Sequence, residues 1–302
     1  MTATETITAA QKAAAAADWS TAAALFETAY QATQTATLNE QLVNALVQTE
    51  KYTPALTYAM EFEAAYLAND TAATLYLTAA LGSHQLIDAR IFVAQRPSGS
   101  WQTTAFERIT AAEATAEETL QATLTTTMRQ FYHLSELPVP AQTERLHAAK
   151  QLTLTKYLTA AQFLLVDPFL HQLTRVEVLY TLHELRVTQP VDFIWLDGTK
   201  QTVVPADLPA LAADATSQQV VAVLQQPLAQ QDASLTENLQ AFLPLQLMYL
   251  YPFSEKAISD AEQWVQLVVA DQMGALPEKI SADQQKMLDI QHKIQQLNLD
   301  LG

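Results

Sequence analysis

The chain has 302 residues, 49% of them hydrophobic, with 16 basic against 32 acidic side chains and a formal net charge of −16. That length buries a sizeable core in one large or two modest domains, while the excess of acid and the singly scattered Lys and Arg exclude a phosphate-neutralising nucleic-acid binder and disfavour an anionic membrane surface. There are no cysteines and only five glycines, which removes disulfide, thiolate and Cys-metal chemistry and favours helix over sandwiches or glycine-rich nucleotide folds.

The opening MTATETITAAQK has neither the basic start nor the apolar core of a secretory signal. No run of 18 apolar residues occurs, and the most apolar stretch, from Phe242 to Phe253, is interrupted by Pro244 and Pro252. A cytoplasmic protein is the expectation. Within the first third, Trp19, Ala22, Phe26 and Ala29 read W-x-x-A-x-x-x-F-x-x-A. Tyr52, Ala55, Ala59 and Phe62 repeat the spacing 33 residues on, and Leu86, Ala89 and Val93 follow after another 34. A helix pair this short cannot bury its own apolar face, so a period of this length predicts stacked helical hairpins over 1–97. The small residue lets the second helix touch the first, and the bulky one fills the space between successive hairpins. In the second unit the spacing predicts one helix from Leu38 to Glu50 and another to about Leu67, with Thr53 as N-cap and Pro54 at the first helical position. Asn69–Asp70 separates the third unit, whose turn holds Gly82–Ser83.

Pro97-Ser-Gly-Ser100 marks the expected boundary between a repeat array at 1–97 and a C-terminal domain at 98–302. Phe106, Ile109, Ala116, Leu120, Leu124, Met128 and Phe131 continue a helical spacing, divided by a candidate capping box at Thr115 and Glu118. Arg145 to Val166 reads as one helix, and Asp167–Pro168 as the start of another reaching about Arg186. Val191, Phe193 and Trp195 then alternate with Asp192, Ile194 and Leu196, and Asp197–Gly198 follows, which predicts a β-hairpin near 191–205 packed against helices. Helices resume over 217–225, 234–251 and 254–273. A polar helix over 281–297 carries Met287, Ile290, Ile294 and Leu297 on one stripe, as a cap over the last apolar surface or, as the alternative, an exposed partner-gripping tail.

The positions of Trp19, Ala22, Phe26 and Ala29, with their partial repeats, resemble the second helix of tetratricopeptide (TPR) repeats. The remaining two-thirds, with its Asp-Gly hairpin between helices, is similar in layout to uncharacterised tetratricopeptide proteins of low-GC Gram-positive bacteria. Ala59 and Phe62 swap the expected sizes, Arg96 replaces a small residue, and glycine is missing before the first two turns. The resemblance implies a mainly α fold, a superhelix of three hairpins followed by a helical domain with one β-hairpin. It implies a groove lined by Gln11, Glu40, Asn44, Val47, Gln48, Thr74 and Thr78. That surface is polar and mostly neutral, suited to the backbone of a peptide or partner protein. It lacks the lysines with which some members clamp a terminal carboxylate, so a neutral or basic segment is the expected ligand.

Catalytic signals are sparse. His133 and Glu136 share a helix face but have no third ligand at a telling distance, His183 and Glu184 point apart, and His171 and Arg175 read as surface or interface residues. No phosphate loop, nucleophile elbow or dinucleotide fingerprint occurs. The expectation is a non-enzymatic, cofactor-free interaction module with no nucleic-acid or membrane partner. A peptide-sensing regulatory receptor and a self-associating assembly protein, paired as a homodimer through the last helix or the outer strand, are the alternatives.

Overall fold

The computed structural model describes residues 2–225 and 233–301. It is mainly α, with one small two-stranded antiparallel sheet. The residues fall into two compact units: one holds Met1–Met128 with His147–Tyr157, the other Arg129–Leu146 with Leu158–Gly302. This division does not run at Pro97–Ser100.

The first unit opens with α1 (Ala3–Ala15) and α2 (Trp19–Ala32), then α3 (Ala36–Gln48), α4 (Tyr52–Met60), the short α5 (Glu63–Tyr66), α6 (Asp70–Gly82), α7 (Leu86–Ala94) and α8 (Ser100–Thr119). Each N-terminus of α1, α2, α3 and α6 is closed by a side chain, from Thr2, Asp18, Thr35 and Asn69, which satisfies amides that have no partner inside the helix. Trp19, Tyr52 and Leu86 each open the second helix of a pair. The turns before them are copies of one another. Ala17, Glu50 and His84 all sit at φ 59°. Behind each, the amides of Asp18, Lys51 and Gln85 donate at 2.9 Å to the carbonyls of Ala13, Leu46 and Ala80. This is the left-handed helix stop usually given to glycine, here made by side-chain-bearing residues.

The small positions are sealed: Ala22, Ala55 and Ala89 are fully buried. Gly82 is held even closer, since a Cβ there would lie 2.2 Å from the Tyr52 ring. Asn39 is the polar centre of this core, with no exposed surface. Its amide nitrogen donates to the Tyr58 carbonyl (2.8 Å) and to the Tyr30 hydroxyl (3.2 Å), and its oxygen accepts from the Tyr66 hydroxyl (2.7 Å). Tyr30 in turn donates to Glu61.

Several boundaries differ from expectation. Helix α4 starts at Tyr52, so Pro54 is its third residue, where the amide is still outside the helical bonding pattern. It ends at Met60, and the short α5 covers the rest of the expected helix. The long helix after Ser100 divides at Leu120 and not at Thr115, whose hydroxyl donates back to the Ala111 carbonyl (3.0 Å). α9 (Gln121–Tyr132) follows, and the stretch expected as a single helix from Arg145 is two, α10 (Val139–Ala149) and α11 (Leu154–Leu165). The break is held by carboxylates of α8: Leu154 N donates to Glu113 (2.9 Å) and the Thr153 hydroxyl to Glu117 (2.8 Å).

In the second unit, α12 (Gln172–Glu184) begins after a turn in which Asp167 Oδ1 accepts from Phe169 N (2.9 Å), four residues later than expected. Strands β1 (Val191–Ile194) and β2 (Lys200–Val203) pair Val191 with Val203 and Ile194 with Lys200. Asp197–Gly198 lies within a loop over 195–199, with Gly198 at φ 86°. Phe193 is buried, its ring 6.1 Å from Phe253, and Trp195 donates from Nε1 to the Leu250 carbonyl (3.1 Å), so one hairpin face packs on helical residues as expected. Then come α13 (Ala215–Gln225), α14 (Ala233–Leu250), which carries Pro244 inside it, α15 (Ser254–Ala257), α16 (Ala261–Gln272) and α17 (Ala282–Asn298). Helix α17 buries Met287, Leu288, Gln291 and Ile294, with Gln291 Nε2 donating to the Trp264 carbonyl (2.9 Å), so the last helix is a cap and not a free tail.

Candidate functional site

Outward positions on two successive first helices face one groove of about 580 Å³. Helix α3 supplies Thr37, Glu40, Gln41, Asn44, Val47 and Gln48, and α6 supplies Thr71, Thr74, Leu75 and Thr78. Both sets recur every three or four residues, the period that keeps side chains on one helix face. From Thr37 to Gln48 the helix rises about 16 Å, the span of roughly five residues of extended chain.

Six of the seven residues expected to line a groove are brought together here: Glu40, Asn44, Val47, Gln48, Thr74 and Thr78. Gln11 is not among them. It is exposed on α1, and α3 and α6 alone make the walls. The two threonines are also less available than the sequence suggested. Their hydroxyls donate to the Asp70 and Thr74 carbonyls one turn back (2.6 and 2.8 Å), and they accept from Trp101 Nε1 (3.0 Å) and Arg108 Nη2 (3.2 Å) on α8. Periodicity within the hairpins carried no sign of Trp101 and Arg108 in this role, because they arrive from the helix after the third pair.

The α3 side is different. Glu40, Gln41, Asn44 and Gln48 make no side-chain hydrogen bond to the described residues, so amide donors, amide acceptors and one carboxylate stand open. Glu40 is the only ionisable residue in the lining. Beneath it, burial first and then the charge of Glu40 push the Tyr66 phenol far above its ordinary range, which keeps it a neutral donor to Asn39.

A second cavity of about 580 Å³ lies in the second unit. Its walls include Leu137, Val139, Leu170, Trp195, Leu196 and Leu297, and Phe169 stands beside it 84% exposed. His171 and Arg175, expected at the surface or an interface, are instead buried in its lining at 8% and 4% exposure. The correction has a physical source. Helix α12 is buried on nearly every side, so polar residues in its first turns are carried inward with Val176, Val178 and Leu179. Arg175 is neutralised by no carboxylate at ion-pair distance among the described residues. Its Nη1 donates to Gln172 (2.6 Å) and the Ile194 carbonyl (3.3 Å), and its Nη2 to the Asp167 and Leu170 carbonyls (2.7 and 2.8 Å). Burial pulls its pKa down to about 10, against the opposing charge of Asp167, so it stays cationic at neutral pH. His171 is likewise lowered by burial, although the Leu297 carbonyl (3.2 Å) and Asp300 favour its charged form.

His133 and Glu136 meet at 2.7 Å, both exposed, across a 3₁₀ turn and not along a helix. Among the described residues no group of three His, Cys, Asp or Glu side chains is placed to hold a metal ion, and no helix is long and apolar enough to cross a membrane. No family model, curated protein or solved structure matches the chain.

Proposed function

We propose that this chain is a protein–protein interaction module of the tetratricopeptide kind, which takes a short extended segment of a partner into the groove between α3 and α6. One observation carries the reading: the residues picked out by repeat register converge on a single open groove whose α3 wall is a row of unengaged polar side chains. Such a wall matches the alternating N–H and C=O groups of a peptide backbone. The scaffold beneath it is fixed by buried alanines and by the Asn39 network, so the backbone of the site is set before binding and the ordering cost is lowered. Glu40, inside a protein of net charge −16, selects a neutral or basic segment over an acidic one. Recognition and not chemistry is the activity in this reading.

The test is selection of binding sequences from a random peptide library on the full chain, followed by affinity measurement on the peptides obtained. The triple variant Glu40→Ala, Asn44→Ala, Gln48→Ala is expected to weaken the selected peptides by about tenfold or more, since unpaired backbone groups lose their partners. Glu40→Lys is expected to reverse the preference between basic and acidic peptides. Unchanged affinities in the triple variant place the binding surface elsewhere.

A further inference from the structure

The second cavity is independent of the groove and is built differently. Its floor holds Arg175, a guanidinium 4% exposed whose Nε–H has no acceptor among the described residues, and His171, 8% exposed, whose Nδ1 is likewise unpartnered among them. A buried cation normally comes with a carboxylate beside it, because taking the charge out of water is otherwise costly. Here carbonyl dipoles and Gln172 do most of that work, and Asp167, the acid whose charge acts on Arg175, spends its Oδ1 on the Phe169 amide. Lys293 lines the same cavity, is exposed and makes no ion pair among the described residues, so the lining carries two cations against one acid, Asp300. The remaining walls are largely aliphatic and aromatic. The volume lies within the range of small-molecule sites, about 300–1,000 Å³.

We infer that the cavity floored by Arg175 and His171 and flanked by Lys293 is a binding site for a monocarboxylate with an apolar body, either a free organic acid or the C-terminus of an apolar peptide. The anion completes the charge balance of Arg175 with Lys293 at the same cavity, and the hydrocarbon part rests on Leu137, Val139, Leu196 and Leu297. Asp300 sets the limit on charge: a dicarboxylate brings a second negative group toward it and binds less well.

Calorimetric titration of the full chain tests this with four probes: octanoate, octanamide, and the peptide acetyl-Ala-Ala-Leu with a free or an amidated C-terminus. At least one acid is expected to bind saturably, with its amide weaker by about tenfold or more, as for a hydrogen bond to a charged group. Octanoate alone binding identifies a free acid as the source, and the peptide acid alone identifies a chain terminus. Arg175→Gln is expected to abolish binding, but it also frees the carbonyls of Asp167 and Leu170 and so threatens the fold. Two further variants keep the result readable. Val139→Trp fills the cavity and is expected to abolish binding, and Lys293→Gln, at an exposed position, to weaken it by about threefold to tenfold while leaving the circular-dichroism spectrum unchanged. The inference is overturned by an absence of saturable binding up to about 10 mM, by equal binding of acid and amide, or by binding that survives Val139→Trp unaltered.

Discussion

The two units solve the same problem, burying short amphipathic helices, in opposite ways. The first repeats one solution. The same left-handed stop at Ala17, Glu50 and His84 is followed by the same bulky-then-small spacing, and its groove is an open polar wall between equivalent helices. The second makes that stop with a side-chain-bearing residue after one helix among its described residues, at Arg186. It wraps a central helix, α12, on nearly every side, and its cavity is an apolar chamber around a buried cation. Repetition places polar side chains outward at regular intervals, where they remain available. A wrapped helix carries whatever polar residues it has into the interior, where each needs a specific partner.

The strongest way to break this comparison is through Asn39, a place where the regular unit behaves like the irregular one. Asn39→Leu leaves the buried Tyr66 hydroxyl without its acceptor and removes one bond each from the Tyr58 carbonyl, which keeps the Glu61 amide, and the Tyr30 hydroxyl. It is expected to destabilise the chain by about 3 kcal/mol or more, read as the shift in urea midpoint. A change below about 1 kcal/mol would mean that the network is replaceable and that the first unit rests on apolar packing alone. Next in size is the contact between adjacent hairpins. Gly82→Ala drives a methyl group into the Tyr52 ring and is expected to cost about 1–3 kcal/mol. Combined with Tyr52→Ala, most of that added cost should vanish, a coupling that a double-mutant cycle measures directly. The smallest effect has the opposite sign. Glu50→Gly relieves a side chain held at φ 59° and is expected to stabilise by about 1 kcal/mol. Arg186, at φ 56° in the second unit, closes α12 with the same bond from Val187 N to the Leu182 carbonyl (3.1 Å). Arg186→Gly should gain a similar amount, and a clear inequality between the two would show that the shared turn is under different strain in the two settings.

What could be read in advance follows the same division. The helix pairs and the equivalent placement of Trp19, Tyr52 and Leu86 were legible because they depend on spacing along one chain segment, and the six positions that share a groove came from the resemblance, which puts the outward face of each first helix there. The β-hairpin was legible because alternation and an Asp-Gly pair are local signals. Reading failed where a distant residue decides. The break between α10 and α11 has no proline or glycine to announce it; carboxylates of Glu113 and Glu117, more than thirty residues earlier, satisfy the freed amide and hydroxyl. Gln11 was assigned by carrying a register back to α1, yet the groove is closed by what stands on either side of α3 and α6, and that is set by packing. Arg175 looked like a surface or interface residue because a charge is usually solvated. The one available signal was the apolar set Val176, Val178, Leu179 and Leu182, which spreads over more of the helix circumference than a single stripe.

Asp88 shows what the interrupted chain path of the first unit entails. Its carboxyl is raised above the ordinary range by burial, against the opposing pull of Lys150, whose ammonium lies 3.7 Å away, and the Ile87 amide donates to the Lys150 carbonyl (2.9 Å). Lys150 belongs to the returning segment His147–Tyr157, reached only after an excursion through Arg129–Leu146. A polypeptide released from the ribosome at Met128 therefore holds all the hairpins but lacks the cation that faces this half-buried acid and the carbonyl that accepts the Ile87 amide. During synthesis, and in any truncated gene product, the hairpins wait for sequence that has yet to emerge before that acid is neutralised.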